Sequence, residues 1–299
     1  MQGHDYLARA MLGDNQARVF ALRTTEVVKT AHGHHQTTPV ATAALGRTLT
    51  MGLVLGAMLK GDETISLQIK GDGPLGGIVV SANSKGSVKG YVGNPHVDLP
   101  FSAAGKLDVG TAVGKGNLHV IRDLGLKEAY QGTVPLQTGE IGEDFAYYFM
   151  NSEQTPSAVG LGVLVGVDGV PISSGGLIVQ LLPDAVADEE FIGSLERALS
   201  QMPAVSSLFA EDMSVEDVVE SVFQGIPVRF IGKEDVRFLC DCSWERFEQA
   251  LMTLGTEELQ ELVAAGETIE TVCHFCNKRY DFTLDQLNMI LVELGNTRE

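Results

Sequence analysis

A chain of 299 residues, 44% hydrophobic and 20% charged, can bury a sizeable core and has room for more than one domain. Its formal net charge of −18, from 21 Lys and Arg against 39 Asp and Glu, repels phosphate backbones and anionic lipid. That excludes general nucleic-acid binding and docking on acidic membranes. The opening Met1-Gln2-Gly3-His4-Asp5-Tyr6 has no basic segment followed by an apolar one, so no signal peptide is expected and the cytoplasm is the expected compartment.

In chain order, Gln16 to Thr24 reads as a strand with partial alternation. His32, His34 and His35 then fall in a polar stretch without matched carboxylates, and a solvated loop is expected there. Thr38-Pro39 predicts a helix start, Thr as N-cap and Pro at the first helical position, with the helix running to about Lys60 and Gly61 as C-cap. Val40 to Leu59 is the most membrane-like stretch, but Arg47 lies in its middle. A central Arg is costly in a bilayer, so a buried helix of a soluble protein is expected.

Thr64–Lys70, Gly77–Ala82 and Val88–Val92 are short strand-like runs separated by turn residues, an antiparallel meander. Between the first two lies Gly71-Asp72-Gly73-Pro74-Leu75-Gly76, which has the letters G-x-G-x-x-G. A dinucleotide fingerprint needs a helix after it; a strand-like run follows, so a hairpin connection is expected. Leu118–Arg122 and Gln131–Gln137 read as another hairpin, Gly142 to Glu153 as a helix, and Ala158–Val167 and Gly176–Leu182 as glycine-rich strands. Without regular β-α-β alternation the fold class is α+β, with a mixed N-terminal core domain at residues 1–183.

Composition shifts after Pro183. Asp188-Glu189-Glu190 opens an acidic helix with Phe191, Leu195 and Leu199 on one face. Ser214 with Asp217 forms a capping box before an apolar stripe of Val215, Val218, Val219, Val222 and Phe223. Residues 184–232 therefore read as a helical linker whose apolar faces need cover. The remainder, 233–299, reads as a small C-terminal zinc domain closed by a helix after the capping box Thr283-Leu284-Asp285-Gln286.

All four cysteines lie in that last part: Cys240-Asp241-Cys242, thirty intervening residues, then Cys273-His274-Phe275-Cys276. Two closely spaced pairs separated by a mini-domain length suit one tetrahedral Cys₄ zinc site, each pair acting as a two-pronged chelate. In a reducing cytosol such cysteines are thiols or metal ligands rather than structural disulfides. His274 is expected to lie outside the ligand set. No catalytic residues, P-loop or nucleophile elbow can be named, and the chain is not expected to be an enzyme.

This C-x-C and C-x-x-C pattern, at the end of an acidic chain of this length, resembles the bacterial 33-kDa heat-shock protein family of redox-regulated holdase chaperones. The Gly71-Asp72-Gly73-Pro74 turn, the Gly175-Gly176 segment, the helical linker and the cysteine domain follow in the family's order. The resemblance implies one zinc ion held by Cys240, Cys242, Cys273 and Cys276 in a reduced, inactive state. It further implies activation by oxidation with zinc release, ATP-independent holding of unfolded or oxidatively damaged clients, and a homodimer when oxidised.

Four cysteines allow three disulfide connectivities. Adjacent pairing, Cys240–Cys242 and Cys273–Cys276, closes only tiny loops that constrain an unfolded chain little, whereas either crossed pairing keeps the domain stapled. The working hypothesis is the adjacent pairing. Residues 233–299 carry 14 Asp or Glu against 6 Lys or Arg, a self-repelling unit that a structural metal would hold together. Two other readings compete: a zinc-finger regulator, disfavoured by that charge, and a thiol–disulfide oxidoreductase, disfavoured because a strand-like run rather than a βαβ context leads into Cys273.

Overall fold

The computed structural model describes residues 4–103, 105–126, 128–210 and 213–296; the reading of Met1–Gly3 as lacking a leader falls outside them. The chain divides into two compact units, Met1–Leu239 and Cys240–Glu299.

The first unit begins with β1 (Tyr6–Leu12) and β2 (Ala17–Arg23), then α1 (Thr25–His35) and α2 (Pro39–Gly56). Strands β3 (Thr64–Gly71), β4 (Ile78–Asn83) and β5 (Ser87–Val92) follow, then α3 (Val109–Val113), β6 (Gly116–Asp123), β7 (Tyr130–Pro135) and α4 (Gly142–Ser152). The long hairpin β8 (Ser157–Val165) and β9 (Pro171–Leu181) leads into α5 (Glu189–Ser200), α6 (Val205–Leu208) and α7 (Val215–Val222). Two further strands, β10 (Val228–Asp235) and β11 (Arg237–Phe238), close the unit.

These strands form two sheets, of order β10-β1-β2-β9-β8 and β11-β5-β4-β3-β6-β7. Helix α2 packs on both, touching β4 and β5 of one and β8 and β9 of the other. Burial on every side accounts for its membrane-like composition: 16 of its 18 residues are buried, and no described helix is long and apolar enough to cross a membrane. Gly56 permits one close approach, because a Cβ there would lie 2.6 Å from the carbonyl oxygen of Asn83. Arg47 is tolerated because its Nη1 donates to the Glu140 carboxylate at 2.6 Å and to the Glu140 carbonyl at 3.1 Å.

The five-stranded sheet separates two cores by strand alternation. Leu7, Phe20, Leu22 and Ile178 face the α2 core. Ala8, Ala10, Val19, Ala21, Leu177 and Val179 face the other way, onto Phe191, Leu195, Val205, Leu208, Val215, Val218 and Val219. The apolar faces of the linker segment are thus covered by the first unit's own sheet. The expected box forms, Ser214 and Asp217 capping α7 reciprocally at 3.0 Å, and Asp188 caps α5 by accepting from the Phe191 N–H at 3.0 Å. Strand β10 then returns to pair antiparallel with β1, from Tyr6↔Asp235 to Leu12↔Val228.

Several expectations change in detail. The histidine stretch is no loop: His32, His34 and His35 form the last turn of α1, and His35 is buried. Helix α2 ends at Gly56, earlier than Lys60; Thr38 holds the N-cap position with Pro39 opening the helix, as expected, but its hydroxyl makes no capping bond and is directed to the carbonyls of Pro95 and Val97 instead. The G-x-G-x-x-G stretch is the β3–β4 connection, as its flanking strand implied. Gly71 is required there because a Cβ would meet the Val113 carbonyl oxygen at 1.9 Å.

Candidate metal centre

The second unit contains α8 (Trp244–Met252), α9 (Thr256–Ala265), the hairpin β12 (Ile269–Val272) and β13 (Arg279–Phe282), and α10 (Leu284–Asn296). Ser243 caps α8, its Oγ accepting from the Arg246 N–H at 3.3 Å. Thr283 and Gln286 form the expected box at the start of α10, with Thr283 N–H donating to Gln286 Oε1 at 2.9 Å. The core is small: Leu251, Leu259, Tyr280, Phe282, Leu287, Ile290 and Leu294 are the buried apolar side chains of this cluster beside Cys242, Trp244 and Phe247. Trp244 stacks on Phe282 with centroids 4.9 Å apart, and Phe247 lies 4.8 Å from Tyr280.

Two local structures present the sulfurs. Cys240 and Cys242 flank Asp241 in the irregular segment that leads into α8. Cys273 and Cys276 occupy the tight turn of the β12–β13 hairpin. There the Cys273 N–H donates to the Lys278 carbonyl at 2.9 Å, and the Cys276 and Asn277 N–H groups donate to the Cys273 carbonyl at 3.3 and 2.7 Å. Asn277 takes the left-handed conformation at φ 57° that closes this turn.

The four cysteines are free thiols, and their sulfurs all lie within 4.8 Å of one another. Cys240 Sγ is 3.6 Å from Cys273 Sγ, and Cys242 Sγ is 3.4 Å from Cys276 Sγ. A disulfide needs about 2.05 Å, whereas four sulfurs bound tetrahedrally at about 2.3 Å lie about 3.8 Å apart. The observed spacing fits a metal tetrahedron. Among the described residues this is the one His, Cys, Asp and Glu cluster able to hold a metal ion, and neither His274 nor the histidines of α1 belong to it.

Sequence reasoning missed Tyr280, whose hydroxyl donates to Cys242 Sγ at 3.2 Å. An aromatic residue four positions after the second cysteine of the turn was the available signal. Burial opposes ionisation of Cys242, but the hydrogen bonds to its sulfur from Tyr280 and the neighbouring thiols outweigh it and hold that thiol below its ordinary range. Burial pushes the Cys240 and Cys276 thiols up. Donation to Cys242 pushes the Tyr280 hydroxyl up. Asp241, between the first two cysteines, pairs outward with Arg246 at 2.6 Å.

Fold and site together define an α+β protein with a small C-terminal cysteine unit of the zinc-binding kind. The family model described as Hsp33 protein matches residues 5–283. The "33 kDa chaperonin" of Caldanaerobacter subterraneus subsp. tengcongensis is 51% identical over 294 residues, covering 98% of this chain and 99% of that one. That of Desulforamulus reducens is 49% identical over 287 residues, covering 96% and 97%. The crystal structure of the 33 kDa chaperonin from Thermotoga maritima matches with a TM-score of 0.89 at 35% identity, covering 98% of this chain and 100% of that one. The chain belongs to the Hsp33 family, a family of stress-response chaperones rather than enzymes.

Proposed function

We propose that this protein is a redox-regulated, ATP-independent holdase with three functional parts: a core at 1–183, a helical linker at 184–232 and a zinc switch at 233–299. The observation that carries the proposal is the convergence of four thiols, drawn from two chain segments, on one tetrahedron-sized site. Cys240, Cys242, Cys273 and Cys276 would hold one zinc ion in the reduced, inactive state. When bound, it supplies a cross-link between the Cys240–Cys242 segment and the hairpin turn, with a binding free energy of about 10–16 kcal/mol available to the fold.

Oxidation acts on the thiolates. Two molecules of hydrogen peroxide accept four electrons from the four thiolates and take up four protons to leave as four waters; two S–S bonds form, and ligation ends. The hypothesised bonds are Cys240–Cys242 and Cys273–Cys276, each closing a loop too small to hold the unit together. The close sulfur approaches at 3.4 and 3.6 Å run across the pairs, so adjacent pairing requires the sulfurs to move, and it rests on the loop argument. Peptide mapping that finds Cys242 joined to Cys273 overturns it.

Without its cross-link the small unit unfolds. The linker faces bearing Phe191, Leu195, Val215 and Val219 rest on β1, β2 and β9, so exposing them requires α5–α7 to lift from the sheet as well. The apolar surface so freed suits unfolded or oxidatively damaged clients, and the charge of −18 helps keep a loaded complex, a homodimer in this reading, soluble in the cytoplasm. Such an acidic protein has no nucleic-acid or membrane partner in this reading. The test pairs zinc content with suppression of aggregation of a model protein, before and after peroxide with mild heat. Zinc loss with a gain in suppression is expected; suppression that rises while zinc stays bound refutes the switch.

A further inference from the structure

Helix α7 is tied to the five-stranded sheet by more than its apolar face. Tyr6, at the start of β1, is buried, and its hydroxyl meets the first turn of α7. It accepts from the Val215 N–H at 2.9 Å and donates to the Glu216 carboxylate. A helix N-terminus leaves N–H groups without intrahelical acceptors. The Ser214 hydroxyl takes that of Asp217 from within the helix, whereas Tyr6 takes that of Val215 from a separate element. Lys233 of β10 completes the junction: its ammonium lies 3.6 Å from the centroid of the Tyr6 ring and 3.5 Å from the Glu216 carboxylate. Burial opposes ionisation of Glu216, but the Tyr6 hydroxyl, the helix backbone and Lys233 outweigh it and hold that carboxyl below its ordinary range.

We propose that the Tyr6–Glu216–Lys233 junction is a latch that holds α7 on the sheet and sets how much oxidation is needed before the linker lifts. The inference rests on the holdase reading and names a regulatory device within it. The apolar stripe of α7 gives area without direction. Hydrogen bonds from a buried hydroxyl to a carboxylate and from the helix N-terminus to that hydroxyl are directional, and the charged one is the stronger kind. The latch joins β1, α7 and β10, and β10 is the strand that runs on through β11 to Cys240. Lys233 pairs with Ala8, two residues before β10 ends. Once the chain beyond β11 is unfolded, these last pairs are the ones that fray. Fraying carries Lys233 off the Tyr6 ring and leaves Glu216 without its cation, so the loss of fold beyond Cys240 reaches a helix that precedes it in sequence.

The test uses three full-length variants. Tyr6→Phe keeps the ring beneath Lys233 and removes the hydroxyl. Lys233→Met keeps the aliphatic cover and removes the charge. Ile65→Val, a methyl group taken from the α2 core, controls for general loss of stability. In reduced protein supplied with zinc, the Val218 and Val219 amides should exchange about two- to tenfold faster in Tyr6→Phe, the loss of one hydrogen bond. The effect should be smaller in Lys233→Met and absent in Ile65→Val, with zinc content and Trp244 emission at parent values throughout. Peroxide is then titrated, with mild heat, against suppression of aggregation of chemically unfolded citrate synthase. Half-maximal suppression should need less peroxide in both latch variants and the parent amount in Ile65→Val. The double variant should shift it by less than the two single shifts combined, because both act on one junction. Parent exchange in α7, an unmoved peroxide midpoint, or fully additive shifts overturn the latch and leave the holdase reading standing. No suppression by any of these proteins or the parent, reduced or oxidised, removes the holdase reading and the latch with it.

Discussion

In the first unit, α2 is buried on all sides between two sheets, and a second apolar layer lies under α5–α7. In the cysteine unit, seven buried apolar side chains gather around one short hairpin, and α8 and α9 each bury a single residue, Leu251 and Leu259. The first unit has the layered core that stabilises a domain unaided. The second has a core below the size at which hydrophobic burial offsets chain entropy, and its four thiols stand where additional core would otherwise be needed. The contrast is one of means: the first unit is stable by packing, and the second sets a small core beside a thiol cluster that could hold a metal ion.

The largest effect tests that contrast directly. Stripping the metal proposed for the four thiols removes about 10–16 kcal/mol of apparent binding and should unfold the second unit while the first stays folded; Cys273→Ser, which leaves three thiols, should act in the same direction. Trp244, stacked on Phe282, is the chain's one tryptophan, so its emission should shift to the red while most of the circular dichroism is kept. A single cooperative loss of both signals would break the comparison.

Next comes the small core. Phe282→Ala should cost about 3–5 kcal/mol and leave the second unit folded only in the metal-loaded form. Phe145→Ala, at an equally buried position, has the same intrinsic cost but should lower the denaturation midpoint of the first unit without unfolding it.

A pH effect belongs to the first unit. Burial raises the Asp5 carboxyl from 3.8 to about 6, against the Val27 N–H that donates to it at 2.8 Å; its other oxygen, Oδ1, is buried without a hydrogen-bond partner. Between those two values the folded chain holds a proton that the unfolded chain has released. Stability therefore falls as pH rises through that window and this contribution is flat above it. Asp5→Asn should remove a slope of up to about 3 kcal/mol, measured as the difference between variant and parent in urea midpoints on either side of the window.

The smallest effect sharpens the site. Tyr280→Phe removes one hydrogen bond to Cys242 and should cost the second unit about 0.5–1.5 kcal/mol, read from Trp244 fluorescence in denaturant.

What was legible in the sequence follows the same divide. Strands β3, β4 and β5 were readable because alternate residues, such as Ile65, Leu67 and Ile69, are buried while those between are less so. Strand β1 was not: Tyr6–Leu12 is covered on both faces, so its sequence does not alternate. Helix α1 hid behind its polar, histidine-rich end. Strand β11 has no signal of its own, being two residues defined by a partner strand far away in sequence. The cysteines stood out because their chemistry is carried by side chains at short, countable spacing. Tyr280 did not, because its contact with Cys242 exists only after the hairpin and α8 have come together.

The pairing of β10 with β1 has a consequence for synthesis. Tyr6 is made long before its partner Asp235, which is translated only just before the first cysteine. Until then the outer edge of β1 has no strand to cover it, and the sheet cannot be completed on the ribosome. Closure of the first unit therefore falls immediately before the thiols emerge, so that the nascent cysteine unit appears at the end of a body that has just become able to finish folding.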